Sequence, residues 1–322
     1  MDIKTQIDEI RAEATAETTT QAHKNDIKYF WAWAWITRNI KPDYPIDPDL
    51  IEAYVVENVQ GFDARTENLL TEYGYKRKPG KLAIATIRRR VNSIISYHRF
   101  KRHDPPIRPE RIKELFRAAK KLESRSGRIV KKSDPITLDI LLKLLKSIGG
   151  RTMIAKRNRA IISFGFFSGG RRRSEIEAAE YRFLKENKGG YIYFLHRSKA
   201  DQAGQGEMKL ISKKRAYPLK AWVKASGIKD GFLFRRIFAG RVSERPISGQ
   251  LVNNIIKDHI EDIGLDPVDY SAHGLRRGFV TTCARAGVPI TDIMQLTGHR
   301  DLRTIQGYIE QGQIENNKGA RI

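Results

Sequence analysis

Apolar residues recur at helical spacing along most of the chain and interleave with many basic ones. Ile84, Ile87, Val91, Ile94 and Ile95 mark one face of a predicted helix, and Arg88, Arg89, Arg90, Asn92 and Ser93 cover the rest of its surface. Asp104-Pro105-Pro106 breaks this helix, and a further one is expected from about Pro109 to Leu122. Upstream, Tyr29, Phe30, Trp31, Trp33 and Trp35 alternate in a way that suggests a strand, but their flanks are helical and the cluster reads as a core helix. Residues 1–20, MDIKTQIDEIRAEATAETTT, are acidic, Thr-rich and poor in aromatics, which predicts a short helix with a loose tail.

Ser124-Arg125-Ser126-Gly127-Arg128 and Lys131-Lys132-Ser133-Asp134-Pro135 have the composition of a basic linker. The boundary is therefore expected at 124–135, between a helical domain over 21–123 and a second domain over 136–322. Thr137 is the expected N-cap of DILLKLLKSI, Arg159 to Phe167 reads as a buried helix, and Arg172 to Glu180 begins another. Tyr191 to Leu195 is the clearest strand, Ala203 to Gly206 is turn material, and Met208 to Ile211 returns as a partner strand. Near the end, the segment after His273 is helical until Ala286-Gly287, and a second helix from Pro289 is stopped by Gly298. His299 falls in the following turn, and Tyr308 on the next short helix.

Charge narrows the partner. A net charge of +23 with a pI near 10.1 over 322 residues points to a polyanion, since Lys and Arg placed on phosphates release condensed counterions. Nucleic acid is the first candidate, although a ribosomal or membrane-surface protein can share this charge. No apolar run approaches the roughly 20 residues that span a bilayer, and the N-terminus lacks a signal peptide's apolar stretch. Cys283 is the single cysteine, so no internal disulfide can form, which fits a reducing cytoplasm.

The chemistry concentrates late in the chain. His273 and Arg276 form an H-x-x-R run, Gly298-His299 follows, and Tyr308 stands nine positions after His299. A protonated phenol, with a free pKa of about 10, is a poor nucleophile and needs neighbours that stabilise its anion and the phosphate it attacks. Arg and His are the residue types for that task. Taken singly, each piece has an ordinary explanation: a surface His/Arg pair one helical turn apart, and a Tyr packed beside Ile305 and Ile309.

The run HGLRRGFVTTCARAGVPITDIMQLTGHRDLRTIQGY, His273 to Tyr308, resembles the tyrosine recombinase (phage integrase) family. SGGRRRSEI, Ser168 to Ile176, looks like the family's first arginine box, whose register selects Arg172 with Glu175 in support. Lys199 in HRSKADQ stands where the family has a hairpin lysine, with Lys209, Lys213 and Lys214 competing on charge alone. The resemblance implies a mainly α protein of the two-domain Cre/Xer layout: a helical core-binding domain that lays basic helices on DNA, and a mixed α/β catalytic domain with a small β-sheet. Arg88, Arg89, Arg90, Lys131 and Lys132 become the expected DNA contacts.

By the same resemblance, Arg172 and Arg276 would hold the phosphate, Tyr308 would attack it to form a 3′-phosphotyrosine, and Lys199 would protonate the leaving oxygen. His273 would exchange a proton with the nucleophile or hold the phosphate, and His299 would donate a hydrogen bond to it. The expected partners are double-stranded DNA with inverted-repeat half-sites and three further copies of the chain, passing through a Holliday junction. Accessory DNA-bending or directionality proteins remain open. No cofactor and no metal are implied, no membrane is involved, and the location would be cytoplasmic, with the nucleoid. A type IB topoisomerase-like nicking-closing enzyme and a non-catalytic DNA-binding protein are the alternatives.

Overall fold

The computed structural model describes residues 17–125, 133–196 and 205–313; Lys131, Lys132, Lys199 and most of the acidic N-terminal segment lie outside the described residues. The chain divides into two compact units, Met1–Val130 and Lys131–Ile322.

In the first unit, α1 (Glu17–Arg38), α2 (Pro48–Gln60), α3 (Ala64–Glu72), α4 (Ile84–Phe100) and α5 (Pro109–Arg125) enclose one apolar core. The stripe expected on α4 is buried there, with Ile87, Val91 and Ile94 closed to solvent. Tyr54 of α2 meets Phe30 and Trp33 of α1 edge-on, at centroid distances of 5.3 and 5.0 Å. Two polar tips of this cluster are satisfied, with Trp33 Nε1 donating to Glu57 Oε2 at 2.8 Å and the Tyr29 hydroxyl to Asn58 Oδ1 at 2.8 Å, while the buried Tyr54 hydroxyl has no hydrogen-bond partner among the described residues. The aromatic run does not bury as a whole. Trp31 is 41% and Trp35 61% exposed, because at 3.6 residues per turn these positions point away from the face that carries Phe30 and Trp33.

The second unit carries α6 (Leu138–Ser147), α7 (Met153–Phe167), the short α8 (Arg173–Glu177), β1 (Leu184–Asn187), β2 (Gly190–Leu195), β3 (Glu207–Ser212) and α9 (Lys213–Ser226). There follow β4 (Arg235–Phe238), β5 (Arg241–Pro246), α10 (Gly249–Asp262), α11 (Ala272–Arg285), α12 (Ile290–Thr297) and α13 (Gln306–Gln313). Helix α7 is the hub: Ile161, Ile162 and Phe164 are fully buried, and it packs on both α9 and α11. Strands β1-β2-β3 form an antiparallel sheet with Leu184 opposite Tyr193 and Phe194 opposite Met208. The fold is thus mostly helical with small antiparallel sheets, as expected. Among the described residues, no helix is long and apolar enough to cross a membrane.

Three local features add to or depart from the sequence reading. The second hairpin, β4-β5, was not legible because RRIF and RVSERP are dominated by charge and its turn rests on Ala239-Gly240, both at positive φ. The helix expected over Arg172 to Glu180 is confined to Arg173–Glu177. Thr137 does occupy the N-cap of α6, but its hydroxyl turns to the Asp139 carboxylate, and the exposed Leu138 N–H is taken instead by Thr282 Oγ1 at 3.1 Å.

One contact sets the position of α11. Gly274 and Gly278 line the side facing Asp134 to Ile136, whose chain lies so close that a Cβ on Gly278 would stand 1.8 Å from the Ile136 carbonyl oxygen. Ile136 N–H donates to Gly274 O at 2.9 Å across this approach.

Candidate active site

The three consecutive arginines are separated by the turn after α7. Gly169, at φ +97°, passes so near α12 that a Cβ there would lie 2.3 Å from Leu296 O. Past this turn Arg171 points inward, 1% exposed, with Nη2 donating to Gly169 O at 2.9 Å and Leu296 O at 2.8 Å. Arg172, at the N-cap of α8, is held twice by Glu175: its backbone N–H donates to Oε2 at 3.0 Å and its Nη1 to Oε1 at 2.6 Å. Its side chain keeps 27% exposure, while Arg173 faces solvent. Of the three, Arg172 combines a fixed orientation with open guanidinium edges.

Arg276 projects from α11, 2% exposed, and Nη1 donates to Gly170 O at 3.0 Å. Its Nε and Nη2 lie 3.4 and 3.2 Å from His299 Nε2. Burial, then the charges of Arg172 and Arg171, pull its guanidinium down to about 9, so it stays cationic at neutral pH. The opposite ring nitrogen, His299 Nδ1, stands 2.6 Å from Thr297 Oγ1, which itself donates to Ile293 O at 2.7 Å. These partners fix the tautomer: Nδ1 carries the proton, and Nε2 accepts from Arg276. Burial first, then Arg276, Arg172, His273 and Arg171, push His299 down to about 3, so the ring is neutral. In this arrangement neither nitrogen offers a proton outward. Within this structure the His299 ring thus bonds Arg276 and Thr297.

His273 begins α11 and is exposed. Partial loss of hydration, then the cations Arg276, Arg277 and Arg172, hold its imidazole below the ordinary value, which leaves it able to accept a proton at neutral pH. Tyr308 on α13 is half-buried against Val280, Ala284, Ile293, Ile305 and Ile309, and this apolar cluster binds α13 to α11. Thus Arg172, Arg276, His299 and His273 come within electrostatic reach of one another, and Tyr308 packs on α11, the helix that carries His273 and Arg276.

Lys199 lies outside the described residues. Its competitor Lys209 is committed elsewhere: 3% exposed, it pairs with Glu207 and donates to Gln295 O at 2.9 Å and Leu296 O at 3.0 Å. Burial lowers its ammonium, with Glu207 opposing. Arg171 and Lys209 therefore bring two buried cations to the carboxyl end of α12, where the peptide dipoles favour positive charge, just before Gly298-His299. Sequence reasoning did not find this clamp. One signal for it exists, since on β3 the charged Lys209 faces inward while Met208 and Leu210 are 69% and 58% exposed, an inversion of the usual alternation.

The basic face expected on α4 in the first unit is only partly outward. Arg88 stacks its guanidinium 4.8 Å from the Phe116 ring, and Arg89 pairs with Asp26 while remaining half exposed. Arg90 is turned inward, 9% exposed, 3.4 Å over the Tyr29 ring and 3.6 Å from Asp26. It shares the α4 face that carries Ile87, Val91 and Ile94, so it is a core cation and not a surface contact.

Comparison with known proteins identifies the family and the fold. Residues 135–313 match the phage integrase family. An integrase/recombinase xerD homolog of Selenomonas ruminantium is 27% identical over 309 residues, covering 94% of this chain and 84% of that protein. Recombinase cre of Escherichia phage P1 is 22% identical over 310 residues, covering 91% and 83%. Among solved structures, XerH site-specific recombinase bound to palindromic difH substrate superposes with a TM-score of 0.59 at 17% identity, over 89% of this chain and 75% of that one. A lambda integrase (75-356) dimer bound to a COC' core site gives 0.53 at 14%, over 95% and 93%. At these identities the structures establish a shared fold.

Proposed function

The chain belongs to the phage integrase family, the tyrosine recombinases, and on that premise we propose that it cuts and rejoins DNA at specific sites through a covalent 3′-phosphotyrosine. The observation that carries this reading is the convergence of Arg172 and Arg276 around the neutral His299, beside the helix against which Tyr308 packs.

A phosphodiester gains negative charge toward its pentavalent transition state, so guanidinium forks on its nonbridging oxygens stabilise that state more than the ground state. Arg172, braced by Glu175, and Arg276, braced by His299 and Gly170 O, supply these forks. The Tyr308 oxygen attacks phosphorus, its proton passing to His273. The bond to the 5′-oxygen breaks, and Lys199 gives that oxygen a proton. Reversal with a 5′-hydroxyl from a second duplex reseals the strand without an external energy source, because the phosphotyrosine conserves the ester bond. Two rounds, each exchanging a pair of strands and separated by a Holliday junction, complete recombination in a tetramer bound to paired inverted-repeat sites. The net charge of +23 supports this DNA partner.

The test is a denaturant-resistant protein–DNA adduct, trapped on nicked suicide duplexes tiled from the replicon that carries the gene. Wild type is expected to form a 3′ adduct and Tyr308→Phe none, with DNA binding retained. An adduct of normal yield from Tyr308→Phe would remove Tyr308 from the role. Relaxation of supercoiled DNA lacking any target site would argue for a topoisomerase instead.

A further inference from the structure

Arg277 is a buried cation with no role in the chemistry above. It follows Arg276 on α11 and is 7% exposed, yet its Nε and Nη1 have no hydrogen-bond partner and it forms no ion pair among the described residues. A desolvated guanidinium without acceptors is costly to retain. Its described partner is an aromatic face: the guanidinium carbon lies 4.5 Å from the centroid of the Tyr308 ring.

Tyr308 needs such a partner. Val280, Ala284, Ile293, Ile305 and Ile309 surround it, and these contacts are non-directional. Among the described residues, no hydrogen bond holds its phenol oxygen; its hydrogen bonds are main-chain ones, from its N–H to Ile305 O at 2.9 Å and from Thr281 Oγ1 to its carbonyl at 3.5 Å. A planar cation on the ring is directional, since attraction to the π-face depends on where the charge sits. Arg277 also lies one helical turn after His273, on the same side of α11, and its charge reaches that imidazole.

We propose that Arg277 is a positioning residue that stacks on Tyr308 and registers the nucleophile to the phosphate fork of Arg276, its neighbour on the same helix. One rigid element then presents the proton acceptor, the fork and the tyrosine clamp, so the ring is placed relative to the phosphate by helix geometry. The inference rests on the reading of Tyr308 as the nucleophile.

Two readouts test it in the full-length protein. The first is single-turnover adduct formation on the nicked suicide duplexes, with binding measured separately. The second is the fluorine NMR resonance of a fluorotyrosine placed at position 308, without DNA. Arg277→Met fills the space with an uncharged chain and should leave binding intact while adduct formation slows roughly tenfold and the fluorine resonance moves. Arg277→Lys keeps the charge but loses the plane, and should recover only part of the rate. A fluorine resonance unmoved in Arg277→Met, with adduct formation still Tyr308-dependent and as fast as wild type, would overturn the inference and leave the proposed function standing. A moved resonance without any Tyr308-dependent adduct in wild type would instead confirm the contact and overturn the proposed function.

Discussion

Replacing Lys209 with Met separates two roles that charge alone cannot distinguish, a clamp on α12 and an acid for the leaving oxygen. Met has nearly the length of Lys and fits the 3%-exposed site, but it loses the pairing with Glu207 and the bonds to Gln295 O and Leu296 O. The cost is limited by what the partners can do next. Leu296 O keeps Arg171 at 2.8 Å, and Glu207, with 42% of its side chain exposed, can hydrate. Removing a desolvated ammonium also returns some free energy, so the net loss should be about 1 to 2 kcal/mol. The sign with pH follows from the lowered folded-state value. Charge on Lys209 weakens the fold in the neutral range, and this deficit disappears as the pH rises through the folded value toward the ordinary 10.5. Wild type should gain that increment in alkaline denaturant titrations, and Lys209→Met should lack it. Adduct formation should fall about tenfold through displacement of His299. The decisive assay uses a duplex whose scissile 5′-bridging oxygen is sulfur, a leaving group with a thiol pKa of about 8.5 that needs no acid. Lys199→Met, expected to slow cleavage by about 100-fold or more, should be rescued by sulfur, and Lys209→Met should not. Rescue of Lys209→Met would refute the clamp and make Lys209 the acid.

Gly278→Ala opposes two terms, a helix-propensity gain of about 1 kcal/mol and an overlap with the Ile136 backbone; overlap should win, and the variant should be less stable by about 3 kcal/mol or more. An increase in stability by urea titration would mean that the close approach is wrong. His98 is fully buried, its Nε2 accepts from Ile46 N–H at 3.2 Å and its Nδ1 donates to Asp104 O at 3.0 Å, an arrangement open only to the neutral ring. Burial, opposed by the Asp104 bond, lowers its folded pKa, so the stability it provides is full above pH 6.5 and is lost as the pH falls through the folded value; His98→Asn should be less stable at pH 7 and flatter below it, and equal slopes would refute this. Arg172→Lys keeps the charge but not the fork, and should lose about 100-fold in adduct formation; near-normal cleavage would move the role to another arginine.

What was legible in the sequence is what repeats or what is local. The α4 stripe repeats along one helix, so Ile87, Val91 and Ile94 were assigned to the core from spacing alone. The same spacing placed Arg90 among the outward cations, because periodicity ranks positions by average polarity and cannot see Tyr29 and Asp26 waiting on α1. The Arg172–Glu175 pair spans three positions and was readable as a register, whereas Arg171 and Lys209 meet at Leu296 from places 125 and 87 residues away. His299 shows why this difference matters for chemistry. Its place in a turn before Tyr308 was readable, and a histidine there naturally suggests a donor to phosphate. Its proton is instead fixed by Thr297, two residues before it, and its lone pair by Arg276, from a different helix. The local neighbour was in view and the distant one was not, and it is the distant one that ties the His299 ring to the guanidinium of Arg276.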